Sequence, residues 1–157
     1  MTKTNAMRLL DIAKISYSVN EYKLTTNNNY GLQAAAQLNM EADAIFKTLV
    51  TKGDKTGINV FCIPVNSHLD LKKAAFVSNN KKLDLILNKD VLNTTGYMVG
   101  SCSPIGMKKQ FPTYIEETAI LFDEIGVSAG AKGLELVLAP QDLLKFINAS
   151  FVSVIQD

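Results

Sequence analysis

Two apolar runs of equal length separated by a five-residue turn constrain this fold more than any other part of the chain. Residues 45–52 and 58–65 flank Gly53-Asp54-Lys55-Thr56-Gly57. The runs are rich in β-branched and aromatic residues, while glycine and aspartate supply the backbone conformations of a tight turn. The segment is therefore predicted to be a β-hairpin. Its second run is continuously apolar, as a strand buried on both faces would be, so it is expected at the centre of a sheet. One cation, Lys47, interrupts the first run. Read by itself it is either a solvated edge charge or a cation aimed into a cleft.

Local signals fill in the remaining elements. Residues 4–14 read as an amphipathic helix with Met7, Leu10 and Ala13 on one face, and residues 15–19 alternate as a half-buried strand. Residues 31–39 are alanine-rich and helical, after a short polar loop at Asn27-Asn28-Asn29. Ser67 followed by Asp70 fits a helix start, with Leu69, Lys72, Ala75 and Phe76 carried into the helix. Strands are expected at 83–87, 113–116, 125–128, 134–139 and 151–155, and a short helix at 89–95. Pro140 suits the first turn of a last helix over 141–148, with Asp142 near its positive end. Helices interspersed irregularly among strands indicate an α/β or α+β fold with a mixed sheet. No repeat, low-complexity tract or linker divides the sequence, so residues 1–157 are expected to form a single domain.

Bulk properties exclude several classes. A hydrophobic fraction of 47% and a charged fraction of 20% belong to a globular chain. Sixteen basic against fifteen acidic residues leave a net charge of +1, too balanced for gripping long stretches of nucleic acid through phosphates alone. No apolar stretch reaches 18 residues, and charges break up the N-terminal segment, so neither a membrane span nor a signal peptide is predicted. Cys62 and Cys102 are too few for a disulfide framework, and a cytoplasmic location is the simplest expectation.

The chemistry-bearing segment is Thr94–Lys109, TTGYMVGSCSPIGMKK. Three glycines and a Ser-Cys-Ser-Pro turn expose backbone N–H and C=O groups, as the wall of a site would. It is not a phosphate-binding P-loop, because no Gly-Lys-Ser/Thr follows and a proline interrupts it. Cys102 beside Ser103 invites a nucleophile reading, but His68 is the chain's one histidine and lies in a predicted helix start. Two cysteines and one histidine, dispersed, do not make a zinc site. No metal and no cofactor is expected, and no protein nucleophile stands out.

Three segments together carry a specific likeness. Phe46-Lys47-Thr48-Leu49-Val50, then Thr95-Gly96-Tyr97 with the glycine-rich run, then Val127–Glu135 (VSAGAKGLE), with Leu69–Ala75 between the first two, resemble the YbaK/EbsC family of aminoacyl-tRNA deacylases. This family is related to the editing domain inserted in bacterial prolyl-tRNA synthetases. The resemblance runs from Ile15 to about Ala149. It implies a strongly curved, barrel-like mixed sheet flanked by helices. It also implies a trans-editing deacylase acting on Cys-tRNA(Pro), with Cys-tRNA(Cys) a second substrate. Family members are thought to let the substrate's own thiol attack its ester, so the protein supplies orientation and backbone polarity.

By the same resemblance Lys47 falls on the family's essential lysine and would hold a phosphate of the tRNA acceptor end. Gly100 would wall the pocket as the second catalytic position. Tyr22, Tyr30, Thr48, Ser101, Ser128 and Glu135 would bind substrate, Thr48 through its hydroxyl if the strand twists there. The family often has glycine at Ser101, phenylalanine at Tyr30, arginine at Lys132 and aspartate at Glu135. The implied partners are the aminoacyl-tRNA acceptor end and prolyl-tRNA synthetase. Rival readings are a deacylase for another mischarged tRNA, such as Ala-tRNA(Pro), and a non-catalytic module that keeps the pocket.

Overall fold

Residues 2–24 and 29–157 are described by the structure, a computed structural model. Asn27 and Asn28 of the expected polar loop lie outside the described residues. In chain order the helices are α1 (Asn5–Ile12), α2 (Tyr30–Gln37), α3 (Leu71–Val77), α4 (Asn88–Thr95) and α5 (Pro140–Phe146). The strands are β1 (Ser18–Glu21), β2 (Phe46–Gly53), β3 (Gly57–Pro64), β4 (Leu83–Leu85), β5 (Thr113–Glu116), β6 (Ile125–Ser128), β7 (Leu134–Leu138) and β8 (Ser150–Val152).

The hairpin forms where its turn chemistry put it. β2 and β3 pair antiparallel from Phe46–Pro64 to Gly53–Gly57. Gly57 takes φ +73°, and Asn80 clamps the turn by accepting from the backbone N–H groups of Lys55 (2.8 Å) and Thr56 (2.9 Å). The apolar β3 is central, with β2 on one side and a parallel β5 on the other. The full order is β4-β2-β3-β5-β8, and a second sheet runs β1-β7-β6 with all pairs antiparallel.

The mixed α/β class is as expected, but the barrel is not there. The strands divide into two sheets, neither of them closed, which meet at an isolated parallel bridge between Ile45 and Gly126. Closure would require β2 to pair with β6 along its length. Beyond Ile45 no further bridge joins the two strands, and β4 pairs with β2 only at residues 51–53.

Two apolar clusters hold these layers. Met7 and Leu10 of α1, Leu143 of α5 and the inner residues Val127, Leu136 and Leu138 of the small sheet form one. Phe61 and Ile63 of β3 pack with Ala74 and Ala75 of α3 in the other. Several boundaries differ from the sequence reading. Ala13 is exposed, and Ala6 completes the buried face of α1. β1 begins at Ser18, although Ile15 and Tyr17 still pack on the core. α3 begins after Asp70, whose Oδ1 accepts from the N–H groups of Lys72 and Lys73 (both 3.0 Å). Ser67 is spent on the preceding turn, its N–H donating to Pro64 C=O at 3.0 Å, and Leu69 stays outside the helix, bridging Ile155. Among the described residues no helix is long and apolar enough to cross a membrane.

Candidate active site

A cavity of about 270 Å³ occupies the gap beside β2, between β4 and the β6–β7 pair. Phe46, Lys47, Thr48, Leu49 and Val50 all line it. Side chains alternate faces along a strand, so five consecutive lining residues place the cavity along the strand's edge rather than on either face. This is how Lys47 and Thr48, on opposite faces, reach one space without the local twist that the sequence reading required. Tyr22, Tyr30, Gly100, Ser128 and Glu135 complete the set brought together, from segments far apart in the chain.

Lys47 is half-buried, and its side chain makes no ion pair or hydrogen bond among the described residues. Burial alone pushes its pKa down from the usual lysine range, and no carboxylate is close enough to restore it. Glu135 is 3% exposed, and its Oε2 has no hydrogen-bond partner. Burial pushes its pKa up to about 8, so the carboxyl is mostly neutral at pH 7. Register puts it on the same face of the small sheet as Ser128 of β6 and Asn20 of β1. Gly126 keeps that carboxyl's seat clear, because a Cβ there would stand 3.0 Å from Glu135 Oε2 and 2.5 Å from Ile45 Cδ1. Tyr22 lies near this carboxyl. Burial, then the charge of Glu135, pushes its phenol up to about 12.

The glycine-rich run closes the cavity's other side. Gly100 takes φ +88°, and a Cβ there would stand 2.5 Å from Tyr30 Cε2, so the loop lies directly against the ring. Lys132 Nζ sits 5.5 Å from the same ring's centroid, a cation–π contact. Ser101 does not line the cavity. It is buried, its N–H donates to Met98 C=O (3.1 Å), and its C=O accepts from Ser128 Oγ (2.9 Å). Ser101 thereby ties the loop to β6, and Gly130 N–H donates to the same Ser128 oxygen at 3.1 Å.

The alternative nucleophiles are poorly placed. Cys102 lines the cavity, but burial pushes its thiol up to about 11, far from the thiolate that would attack. Cys62 is fully buried behind Thr48, its Sγ 3.9 Å from Thr48 Oγ1. His68 is exposed on the turn after β3 and absent from the cavity lining. Among the described residues no group of three or more His, Cys, Asp or Glu is arranged to hold a metal ion.

The family model described as "Aminoacyl-tRNA editing domain" matches residues 30–146. The Enterococcus faecalis protein named "Putative Cys-tRNA(Pro)/Cys-tRNA(Cys) deacylase EbsC" is 47% identical over 152 residues, which cover 97% of this chain and 93% of that one. The chain belongs to the aminoacyl-tRNA editing domain family. Solved structures agree on the fold. A "putative trans-editing enzyme for prolyl tRNA synthetase" superposes with a TM-score of 0.85 at 23% identity, covering 99% of this chain and all (100%) of that one. The hypothetical protein APE2540 does so at 0.86 and 18% identity, covering 95% of this chain and 97% of the other.

Within this editing domain, Tyr22 lies outside the segment matched by the family model, and the other candidate residues lie inside it. Sequence reasoning did not find the cavity's apolar wall of Val65, Leu85, Val91 and Val99, nor Gly31. Valine and leucine at those positions look like ordinary core, and only the gap between β4 and β6 turns them toward a cavity. Gly31 carried a local signal, being a glycine at the start of a helix. A Cβ there would stand 2.3 Å from Val65 Cγ1.

Proposed function

We propose that the chain is a trans-editing aminoacyl-tRNA deacylase that removes cysteine from Cys-tRNA(Pro), and from Cys-tRNA(Cys) where that is presented. On this reading residues 1–157 act as one cytoplasmic editing domain. The observation that carries the proposal is an unpaired, half-buried Lys47 sharing one largely apolar cavity with a neutral, unpartnered Glu135. A strip of phosphate, sugar and aminoacyl ester supplies what each lacks. Lys47 takes a phosphate as a point charge, and Glu135 meets the amino group. Tyr22 and Tyr30 cover the terminal adenine or the ester, a base–aromatic contact contributing roughly 1–3 kcal/mol. Gly100 and Ser101 hold the loop that walls the ester, and the Thr48 and Ser128 hydroxyls border it.

The raised pKa of Cys102 supports a nucleophile brought by the substrate. The cysteinyl sulfur bonds to its own ester carbonyl carbon, and the carbon–oxygen bond to the ribose breaks. The thiol proton ends on the ribose oxygen. Water then opens the four-membered thiolactone to free cysteine. Holding sulfur and carbonyl in an attack geometry is the protein's contribution, and such orientation can supply about 7–11 kcal/mol of a barrier. With a net charge of +1, tRNA selection is assigned to a complex with prolyl-tRNA synthetase.

Deacylation of Cys-tRNA(Pro), Ala-tRNA(Pro) and Cys-tRNA(Cys) by the purified protein, side by side, tests the proposal. Both cysteinyl substrates should be hydrolysed well above background and Ala-tRNA(Pro) barely. Preferred hydrolysis of Ala-tRNA(Pro) would replace the substrate, and no hydrolysis of any would leave a binding module.

A further inference from the structure

Ser128 is the last residue of β6, and its hydroxyl is already engaged within the protein. Its Oγ–H donates to Ser101 C=O at 2.9 Å, and the same oxygen accepts from Gly130 N–H at 3.1 Å. A hydroxyl carries one proton, so Ser128 has none left to offer a substrate oxygen, and one lone pair is all that remains. Ser101 directly follows Gly100 and is itself tied back to Met98 C=O, through its N–H (3.1 Å) and its hydroxyl (3.2 Å). A second contact joins the same two segments. Gly130 takes φ +96°, and a Cβ there would stand 2.6 Å from Tyr97 Cε1, so the Tyr97 ring rests on the turn that leaves β6. Tyr97 is fixed in its turn: its N–H donates to Thr95 Oγ1 (3.0 Å) and its hydroxyl to Ile105 C=O. The loop is thus docked on the β6–β7 turn at two points, Tyr97 on Gly130 and Ser101 on Ser128.

Gly100 lies between those points and walls the cavity, while Lys47 reaches the same cavity from the other sheet. Residues 96–112 belong to no helix or strand, so no ladder sets the position of this wall. The docking contacts set it instead. We propose that Ser128 is a positioning residue: its hydroxyl seats the Gly100 loop on the small sheet, and it serves the reaction through that loop rather than by holding the substrate. The inference rests on the reading of this cavity as an aminoacyl-tRNA site and changes the task of one residue in it. The likeness to the family groups Ser128 with the substrate-binding residues, because a serine beside a pocket looks the same in sequence whether its proton faces ligand or loop. Gly130 shares the task from the second contact, since a side chain there would lift Tyr97 and the loop with it. A seat of this kind governs rate more than affinity, because it fixes where the ester meets its wall and leaves the contacts of Lys47 and the tyrosines alone.

Ser128→Ala removes the donor to Ser101 and the acceptor of Gly130 N–H together. In the free protein the Gly130 amide should then exchange with solvent several-fold faster, the scale of one lost hydrogen bond. With every variant assayed well below its melting temperature, kcat on Cys-tRNA(Pro) should fall about a hundredfold while KM stays within about twofold. Ser128→Thr keeps the hydroxyl on a side chain that suits a strand, so it should restore both the rate and the protection of the amide. Gly130→Ala should repeat the loss of kcat with Ser128 intact. A Ser128→Ala variant whose KM rises at unchanged kcat has lost a substrate contact, and that result overturns the proposal. So does a Gly130 amide that exchanges as in the parent, a faster amide with an unchanged rate, or a Ser128→Thr variant that protects the amide yet stays as slow as Ser128→Ala. A parent protein that hydrolyses no aminoacyl-tRNA, with the amide responding as stated, keeps the seat and loses the deacylase reading.

Discussion

Lys47 and Glu135 are the two residues whose local energetics demand a ligand. The lysine has given up part of its hydration without gaining a counter-charge. Its loss should therefore cost function rather than fold. Lys47→Ala should lower kcat/KM on Cys-tRNA(Pro) about a hundredfold, since displacement of a substrate by about 1 Å has that effect. Its melting temperature should hold or rise, because a poorly solvated charge is removed. Steady-state kinetics beside thermal melts check this, and an unchanged rate would remove Lys47 from the site. The family likeness singled out Lys47, whereas its bare sequence context favoured a solvated charge. Burial of a strand edge depends on what packs against it, and no residue near position 47 encodes that.

The elements were legible where their signals are local. The β2–β3 hairpin, β5 and β6 were readable because turn residues bracket periodic apolar runs. The division into two sheets was not, since it turns on Gly126 meeting Ile45 from about eighty residues away. β7 illustrates both. Its alternation put Leu136 in the core, yet the same alternation buries Glu135 on the opposite face, over the glycine of β6. That placement makes stability depend on pH. The carboxyl's folded pKa, about 8, lies above the usual 4.5, so the folded state binds more protons between those values. Stability is accordingly full below about pH 4.5, declines as pH rises, and has lost this contribution above about pH 8, a difference on the order of a few kcal/mol. Glu135→Gln should flatten the profile, so that the variant's melting temperature overtakes the parent's above pH 8. Parallel profiles for the two proteins would mean that Glu135 is not held neutral.

For the whole molecule, two sheets joined at one bridge border a cavity that holds a half-buried cation from one sheet and a neutral acid from the other. Nothing in that cavity is equipped to attack an ester. Its thiol is protonated, the histidine is elsewhere, the Thr48 hydroxyl lies against Cys62, and the Ser128 hydroxyl donates to Ser101 C=O beside a Glu135 carboxyl that is mostly neutral at pH 7. The account therefore stands on the substrate bringing its own nucleophile. The most direct test compares hydrolysis of Cys-tRNA(Pro) and Ser-tRNA(Pro), by the parent protein and by Cys102→Ala. Serine differs from cysteine by one atom and fits the same space, but its hydroxyl is a far weaker nucleophile at neutral pH. Both proteins should cleave the cysteinyl substrate at similar rates and the seryl substrate at least about a hundredfold more slowly, the scale expected when the attacking group is lost. Equal cleavage of the two substrates by the parent protein, abolished in Cys102→Ala, would show that the protein supplies the nucleophile and would contradict the account.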